Sequence, residues 1–116
     1  MEPHEIAVIA RTKAHAQRFY QALLSAGVPA KLLDADGPVS SGVQVGAMHR
    51  VKGLEYRIVY LVACSASVVP QPFYGEESGA AREDHEERER RLLYVAMTRA
   101  REDLRVSGAA PLSVFL

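Results

Sequence analysis

What this chain lacks narrows the field first. Its 116 residues include one cysteine, Cys64, and no tryptophan. A lone thiol excludes an internal disulfide and a cysteine-rich metal site. Lying in an apolar run, Cys64 reads as a small buried hydrophobe. Charge of one sign is also missing, because fourteen basic and fourteen acidic residues cancel. Bulk charge therefore selects no partner, and any anion site must be local. No apolar run approaches the ~20 residues of a membrane span. The start, MEPHEIAVIARTKAH, has neither the basic region nor the apolar core of a secretory signal. A cytoplasmic protein without membrane contact is the expectation. There is no GxxxxGK[ST] string, and Gly42, Gly46 and Gly53 are too widely spaced for a dinucleotide fingerprint. No Ser/His/Asp or Cys/His set suggests covalent catalysis. No aspartate-rich strand end offers a metal site.

What is present reads as one α/β domain, with the length for a real core. Glu5 to Ala10 is a short apolar run and reads as a buried strand. Thr12 is placed to cap a helix from Lys13 to Ala26, in which Ala16, Phe19, Tyr20, Leu23 and Leu24 share a face. Gly27 and Pro29 end it. Ala30 to Leu33 and Val43 to Gly46 read as strands, separated by the loop Asp34 to Gly42. Arg57 to Ala63 is the clearest strand. Cys64 to Ala81, with its Phe73-Tyr74 pair, reads as a long surface loop. A second helix is expected from Asp84, capped by Asp84 with Glu87 three residues on. Its charge run, with Glu86–Arg90 and Glu87–Arg91 at i,i+4 spacing, reads as a solvated face. From Leu92 to Ala100 the helix turns apolar and should enter the core. Asp103 to Ser107 is the last strand. β-α-β alternation implies a mainly parallel sheet.

Two clusters carry the chemistry. Met48 to Glu55, MHRVKGLE, crowds His49, Arg50, Lys52 and Glu55 around Gly53 just ahead of the clearest strand. A glycine lets backbone approach a ligand, and such cations suit an anion. The second cluster, Arg90 to Leu104, sets Arg99 and Arg101 at the end of the second helix. Arg11 follows the first strand directly, on the edge where ligands of such sheets collect. Each residue also has a plainer reading. Arg99 could stabilise a helix end, Arg11 could be a surface arginine, and Arg50 and Lys52 could be solvated. His49 could be a core or surface histidine, and Glu55 could pair with Lys52. From the residues alone the chain looks like half of a phosphate site.

The strings VGAMHRVKGLEYRIVYLV and EERERRLLYVAMTRAREDLRVSG resemble motifs V and VI of UvrD/PcrA/Rep-type superfamily 1 DNA helicases. IAVIARTKAHAQRFYQALLSAGVPAKLL is similar to the segment around motif IV. The resemblance implies a RecA-like, three-layer α/β domain of the P-loop NTPase type, lacking the Walker motifs. It would be the second RecA-like domain of an ATP-driven single-stranded DNA translocase, a C-terminal fragment spanning residues 1–116 without the large accessory insertion. By the same resemblance Arg99 is an arginine finger and Arg11 a γ-phosphate contact. Glu55, with Gly53 beside it, would meet the nucleotide sugar. His49, Arg50 and Lys52 would lie toward DNA or in coupling contacts. ATP with Mg2+ would be the cofactor, the metal ligands coming from the first RecA-like domain, so the isolated chain would not turn over ATP. Two positions depart from the family: Ala10 stands where a base-stacking tyrosine is common, and Ala47 where a threonine is common. A stand-alone module binding nucleic acid or protein, without catalysis, is the alternative.

Overall fold

Alternation along Ile6-Ala-Val-Ile-Ala10 divides the molecule into two cores. A computed structural model describes residues 2–33, 42–73 and 79–116. Strand β1, Ile6–Ala10, sits at the centre of a five-stranded sheet. Helix α1 spans Lys13–Ser25 and strand β2 spans Ala30–Leu32. Strands β3 and β4 span Val43–Ala47 and Tyr56–Leu61. Helix α2, Gly79–Met97, precedes strand β5, Ala100–Val106. The strand order is β2-β3-β1-β4-β5, and every pairing is parallel.

Because side chains alternate across a strand, Val8 and Ala10 face one way and Ala7 and Ile9 the other. Val8 and Ala10 join Val43, Val45, Val62 and Ala16 of α1, with Phe19, Tyr20 and Leu23 packed against them. Ala7 and Ile9 join Val59, Leu61, Met48 and Val51, with Leu93 and Ala96 of α2. One helix on each face makes three layers, consistent with a RecA-like fold. Ile9 and Leu61 are fully buried, and each such side chain contributes about 1.5–3 kcal/mol. Two packed faces thus outweigh any of the exposed ion pairs.

Local signals set the ends of α1. The Thr12 hydroxyl accepts the His15 N–H at 3.2 Å, satisfying one of the helix's free donors. At the other end Gly27 takes φ +79°, the left-handed conformation that glycine adopts without penalty. Leu24 does not join the buried face and is 42% exposed.

Several boundaries differ from expectation. Helix α2 is already formed at Gly79, so Asp84 lies inside it and caps nothing; its carboxylate pairs instead with Arg88 at 2.7 Å. Strand β5 begins at Ala100, which therefore lies outside α2. Only one side of the helix enters the core near its end, since Tyr94 is 67% exposed while Leu93 and Ala96 are buried. The segment after β4 is more than a surface loop. Cys64 and Val69 are buried in the core, and Ser65 bridges to Leu112. Burial pushes the Cys64 thiol up to about 11, as an apolar surround should. The Asp34-to-Gly42 loop, apart from Gly42, and Tyr74 lie outside the described residues.

Candidate functional site

Parallel strands give the sheet two chemically distinct edges, and the candidate residues divide between them. Ala10 and Ala47 end β1 and β3 side by side in the ladder. Arg11 and a 3-10 turn, Met48–Arg50, therefore leave the sheet at its carboxyl edge. Tyr56 and Ala100 face each other at the start of β4 and β5. Glu55 and Arg99 thus stand at the amino edge. The stretch MHRVKGLE connects the two edges, crossing the sheet on the α2 side, where Met48 and Val51 are fully buried. Strands of five or six residues separate the edges by roughly 16–20 Å.

At the amino edge the two motif-bearing stretches are hydrogen-bonded to each other. The Tyr56 N–H donates to the Arg99 carbonyl at 2.8 Å. In return the Arg99 guanidinium donates through Nη1 to the Leu54 carbonyl at 3.2 Å. Its Nε donates to the Val95 carbonyl at 3.0 Å, and its Nη2 to Thr98 Oγ1 at 3.3 Å. Thr98 itself donates to the same Val95 carbonyl at 2.9 Å. Arg99 therefore does stabilise a helix end, satisfying a terminal carbonyl. A guanidinium carries five N–H donors, so these three bonds fix its orientation without exhausting it. Glu55 is exposed and lines a small hollow with His4, Gln44 and Tyr56. Among the described residues no ion pair joins Glu55 to Lys52. Burial pushes the Tyr56 phenol up to about 12, so it stays neutral.

The carboxyl edge is organised around a residue that its sequence neighbours disguise. Glu89, expected on a solvated helix face, is 5% exposed. Its carboxylate receives Arg11 in a two-pronged contact, Nε to Oε1 at 2.9 Å and Nη2 to Oε2 at 2.6 Å. It also accepts the Gln71 N–H at 2.7 Å. His85 Nε2 lies 2.7 Å from the Gln71 carbonyl, one turn of α2 earlier. Burial works to raise the Glu89 carboxyl, but the Arg11 and Gln71 hydrogen bonds and the Arg11 and His85 charges together hold it below the usual range. Arg11, 17% exposed in its side chain, is thus neutralised and braced against α2. Glu89 precedes Arg99 by ten positions, which along a helix is roughly 15 Å. Arg11, held by Glu89 at the carboxyl edge, and Arg99, held against Leu54 and Val95 at the amino edge, thus lie apart in this chain. A signal for Glu89 was available: Glu89, Leu93 and Ala96 recur at i, i+4, i+7, the stripe of a buried face.

His49 and Arg50 are exposed, as are Lys52 and Gly53. Gly53 turns the chain with φ +81°. His49 lines both a small cleft and an open groove. One holds Lys13 and Arg50 beside Gly46. The other runs between the 3-10 turn and α2, lined by Lys52, Arg88 and Arg91 over Leu92 and Val95. Lys13, Arg88 and Arg91 do not stand out in the sequence, because charges at helix ends and on exposed faces are common. Only the fold shows that they converge on His49.

Known proteins can be set beside this geometry. The sequence pattern of the UvrD-like helicase C-terminal domain matches residues 34–110. The putative ATP-dependent DNA helicase YjcD of Bacillus subtilis is 46% identical over 69 residues, 60% of this chain and 9% of that protein. The ATP-dependent DNA helicase PcrA of Staphylococcus epidermidis is 36% identical over 81 residues, 69% of this chain and 11% of its own. The ATP-dependent DNA helicase UvrD2 of Mycobacterium tuberculosis is 43% identical over 72 residues, 62% and 10% of the two chains. The chain thus spans about a tenth of the length of these relatives. Among solved structures, the C-terminal domain of a possible DNA helicase from Lactobacillus plantarum WCFS1 superposes with a TM-score of 0.73 at 22% identity. That match covers 96% of this chain and 60% of the other and shows a shared fold. With its pattern matched over well more than half its length, the chain belongs to the UvrD-like helicase C-terminal domain family.

Proposed function

We propose that this chain is the second RecA-like half of an ATP-dependent DNA helicase. It supplies part of a nucleotide site at its amino edge and part of a single-stranded DNA site at its carboxyl edge. The observation that carries this is the course of MHRVKGLE, which begins at one edge with His49 and ends at the other with Glu55, bonded there to the Arg99 segment. ATP-dependent DNA helicases among the relatives make nucleotide and DNA the natural occupants of the two edges.

At the amino edge Arg99 is the candidate arginine finger. Three hydrogen bonds hold its guanidinium, and the remaining N–H groups can meet phosphate oxygens as negative charge builds on them. Preorganised donors of this kind act without reorganisation at the moment of reaction. Thr98 is a positioning residue for it. Glu55, exposed beside this edge, suits the hydroxyls of a nucleotide sugar, and Gly53 keeps the approach clear. ATP supplies the phosphoryl chemistry. Among the described residues no set of three His, Cys, Asp or Glu side chains could hold a metal ion. The magnesium ligands are assigned to a first RecA-like domain. Arg11 is left out of this wall, because Glu89 already claims it at the opposite edge.

At the carboxyl edge His49, Arg50 and Lys52 are assigned to single-stranded DNA, with Lys13 beside Arg50. Among the described residues no helix is long and apolar enough to cross a membrane. In the two-domain motor, Arg99→Ala should lower ATP turnover by about 10³–10⁵, the range for arginine fingers, while the protein still folds, with only the small loss of stability, about 0.3–1 kcal/mol, that a helix-end cation accounts for. The 116-residue chain alone should show no turnover above a protein-free control. A loss below about tenfold would reduce Arg99 to a helix-end stabiliser. Turnover by the chain alone would refute the division of the site.

A further inference from the structure

The chain's charges sum to zero, yet one groove gathers cations only. Between the 3-10 turn and the middle of α2, the charged residues lining a groove of about 290 Å³ are Lys52, Arg88 and Arg91, beside His49 and without a carboxylate. Arg88, Arg91, Leu92 and Val95 recur at helical spacing, so α2 turns one mixed stripe toward the groove. Leu92 and Val95 are half-buried and form its apolar floor. Cationic walls over an apolar floor fit a polymer that carries phosphates along its edge and bases on its face. The groove is open, and its volume falls just below the roughly 300–1,000 Å³ typical of enclosed small-molecule sites. A passing strand fits it better than a captured molecule.

Arg88 and Arg91 have partners on their own helix, Asp84 at 2.7 Å and Glu87 at 3.6 Å. Both arginine side chains are nonetheless largely exposed, at 67% and 69%. Exposed pairs of this kind are weak and screened, so a phosphate can displace the carboxylates. The groove also continues directly from His49, shared with the Lys13–Arg50 groove at the carboxyl edge. His49 thus joins the groove to a small cleft beside Lys13 and Arg50.

We infer that Arg88 and Arg91 form the second wall of a single-stranded DNA path, along which the strand runs from the carboxyl edge of the sheet down the face of α2. This extends the DNA role assigned above to His49 and Lys52 and rests on it. It gives the helix that leads to Arg99 direct contact with the strand.

The test is fluorescence anisotropy of a labelled oligothymidylate on the 116-residue chain, titrated across salt concentrations. Arg88→Gln with Arg91→Gln should weaken binding about tenfold near physiological salt. It should also flatten the slope of log K against log salt by about 1.4, two single-strand phosphate contacts at roughly 0.7 each. Arg18→Gln with Arg105→Gln removes the same charge from exposed positions outside the groove and should leave the slope unchanged. Thermal unfolding of both double variants checks the fold. If the chain binds and His49→Ala weakens it, but the Arg88/Arg91 variant matches the parent, the second wall is wrong and the DNA edge stands. Equal losses in both double variants would reduce the effect to net charge and also overturn it. Release of the oligonucleotide by ATP from the parent but not from the Arg88/Arg91 variant would make the groove a nucleotide site instead. No binding by the parent chain would refute the DNA edge itself.

Discussion

Glu89 shows how much a single carboxylate can organise. It joins the end of β1, the segment after β4 and the middle of α2 through Arg11 and the Gln71 amide. Removing its charge would leave Arg11 largely buried with an amide where it had an ionic partner. Breaking buried pairs costs about 3–5 kcal/mol, and the partial exposure of Arg11 lowers that to roughly 2–3 kcal/mol for Glu89→Gln. The folded protein keeps Glu89 ionised to lower pH than the unfolded chain does. Its contribution is therefore complete above the unfolded value, about 4.3, and fades as pH falls through the lower folded value. Urea unfolding should show the variant less stable near neutral pH, with the gap closing as the pH is taken below about 4. A gap that stays constant would mean that lost packing, not lost charge, is responsible. The sequence concealed this residue because its neighbours are charged. Glu87, Arg88, Arg90 and Arg91 sit around it in the same charge run, and only the phase with Leu93 and Ala96 set position 89 apart.

Among elements, the crossing stretch between β3 and β4 matters most. Its buried members, Met48 and Val51, anchor it to the α2 side of the sheet, while its charged members stay exposed at either end. Gly53 lets it turn, with φ +81° and nothing within 4 Å of where a Cβ would stand. Gly53→Ala should therefore cost only the left-handed backbone penalty, about 1–2 kcal/mol, visible as a lower urea midpoint with an unchanged slope. Asparagine, which tolerates this conformation better, should restore part of the loss. An alanine variant as stable as the parent would show that the turn relaxes into another conformation. The strands were legible in the sequence because apolar runs bounded by Gly and Pro left few alternatives. The start of α2 was not legible: Asp84 and Glu87 imitate a cap, while the helix is already under way at Gly79. Small residues carry no such signal, and Gly79-Ala80-Ala81 reads as loop or helix with equal ease.

For the whole molecule, the fold class and the specific motif strings could both be read from the residues, but the distribution of the candidate residues between the two edges could not. The family resemblance sets both Arg11 and Arg99 toward the nucleotide phosphate. One follows the carboxyl end of a strand and the other precedes the amino end of another, and only the parallel ladder puts the length of a strand between them. A domain so arranged would bind DNA at one edge, meet the nucleotide at the other, and join them through MHRVKGLE. Basal and DNA-stimulated ATP turnover, measured side by side in the two-domain motor, tests that division most directly. His49→Ala should abolish stimulation by single-stranded DNA and leave basal turnover within about twofold, whereas Arg99→Ala should remove both, as loss of a finger worth roughly 10³–10⁵ requires. If His49→Ala and Arg99→Ala suppress basal turnover alike, the two residues serve one site and the two-edge account is wrong.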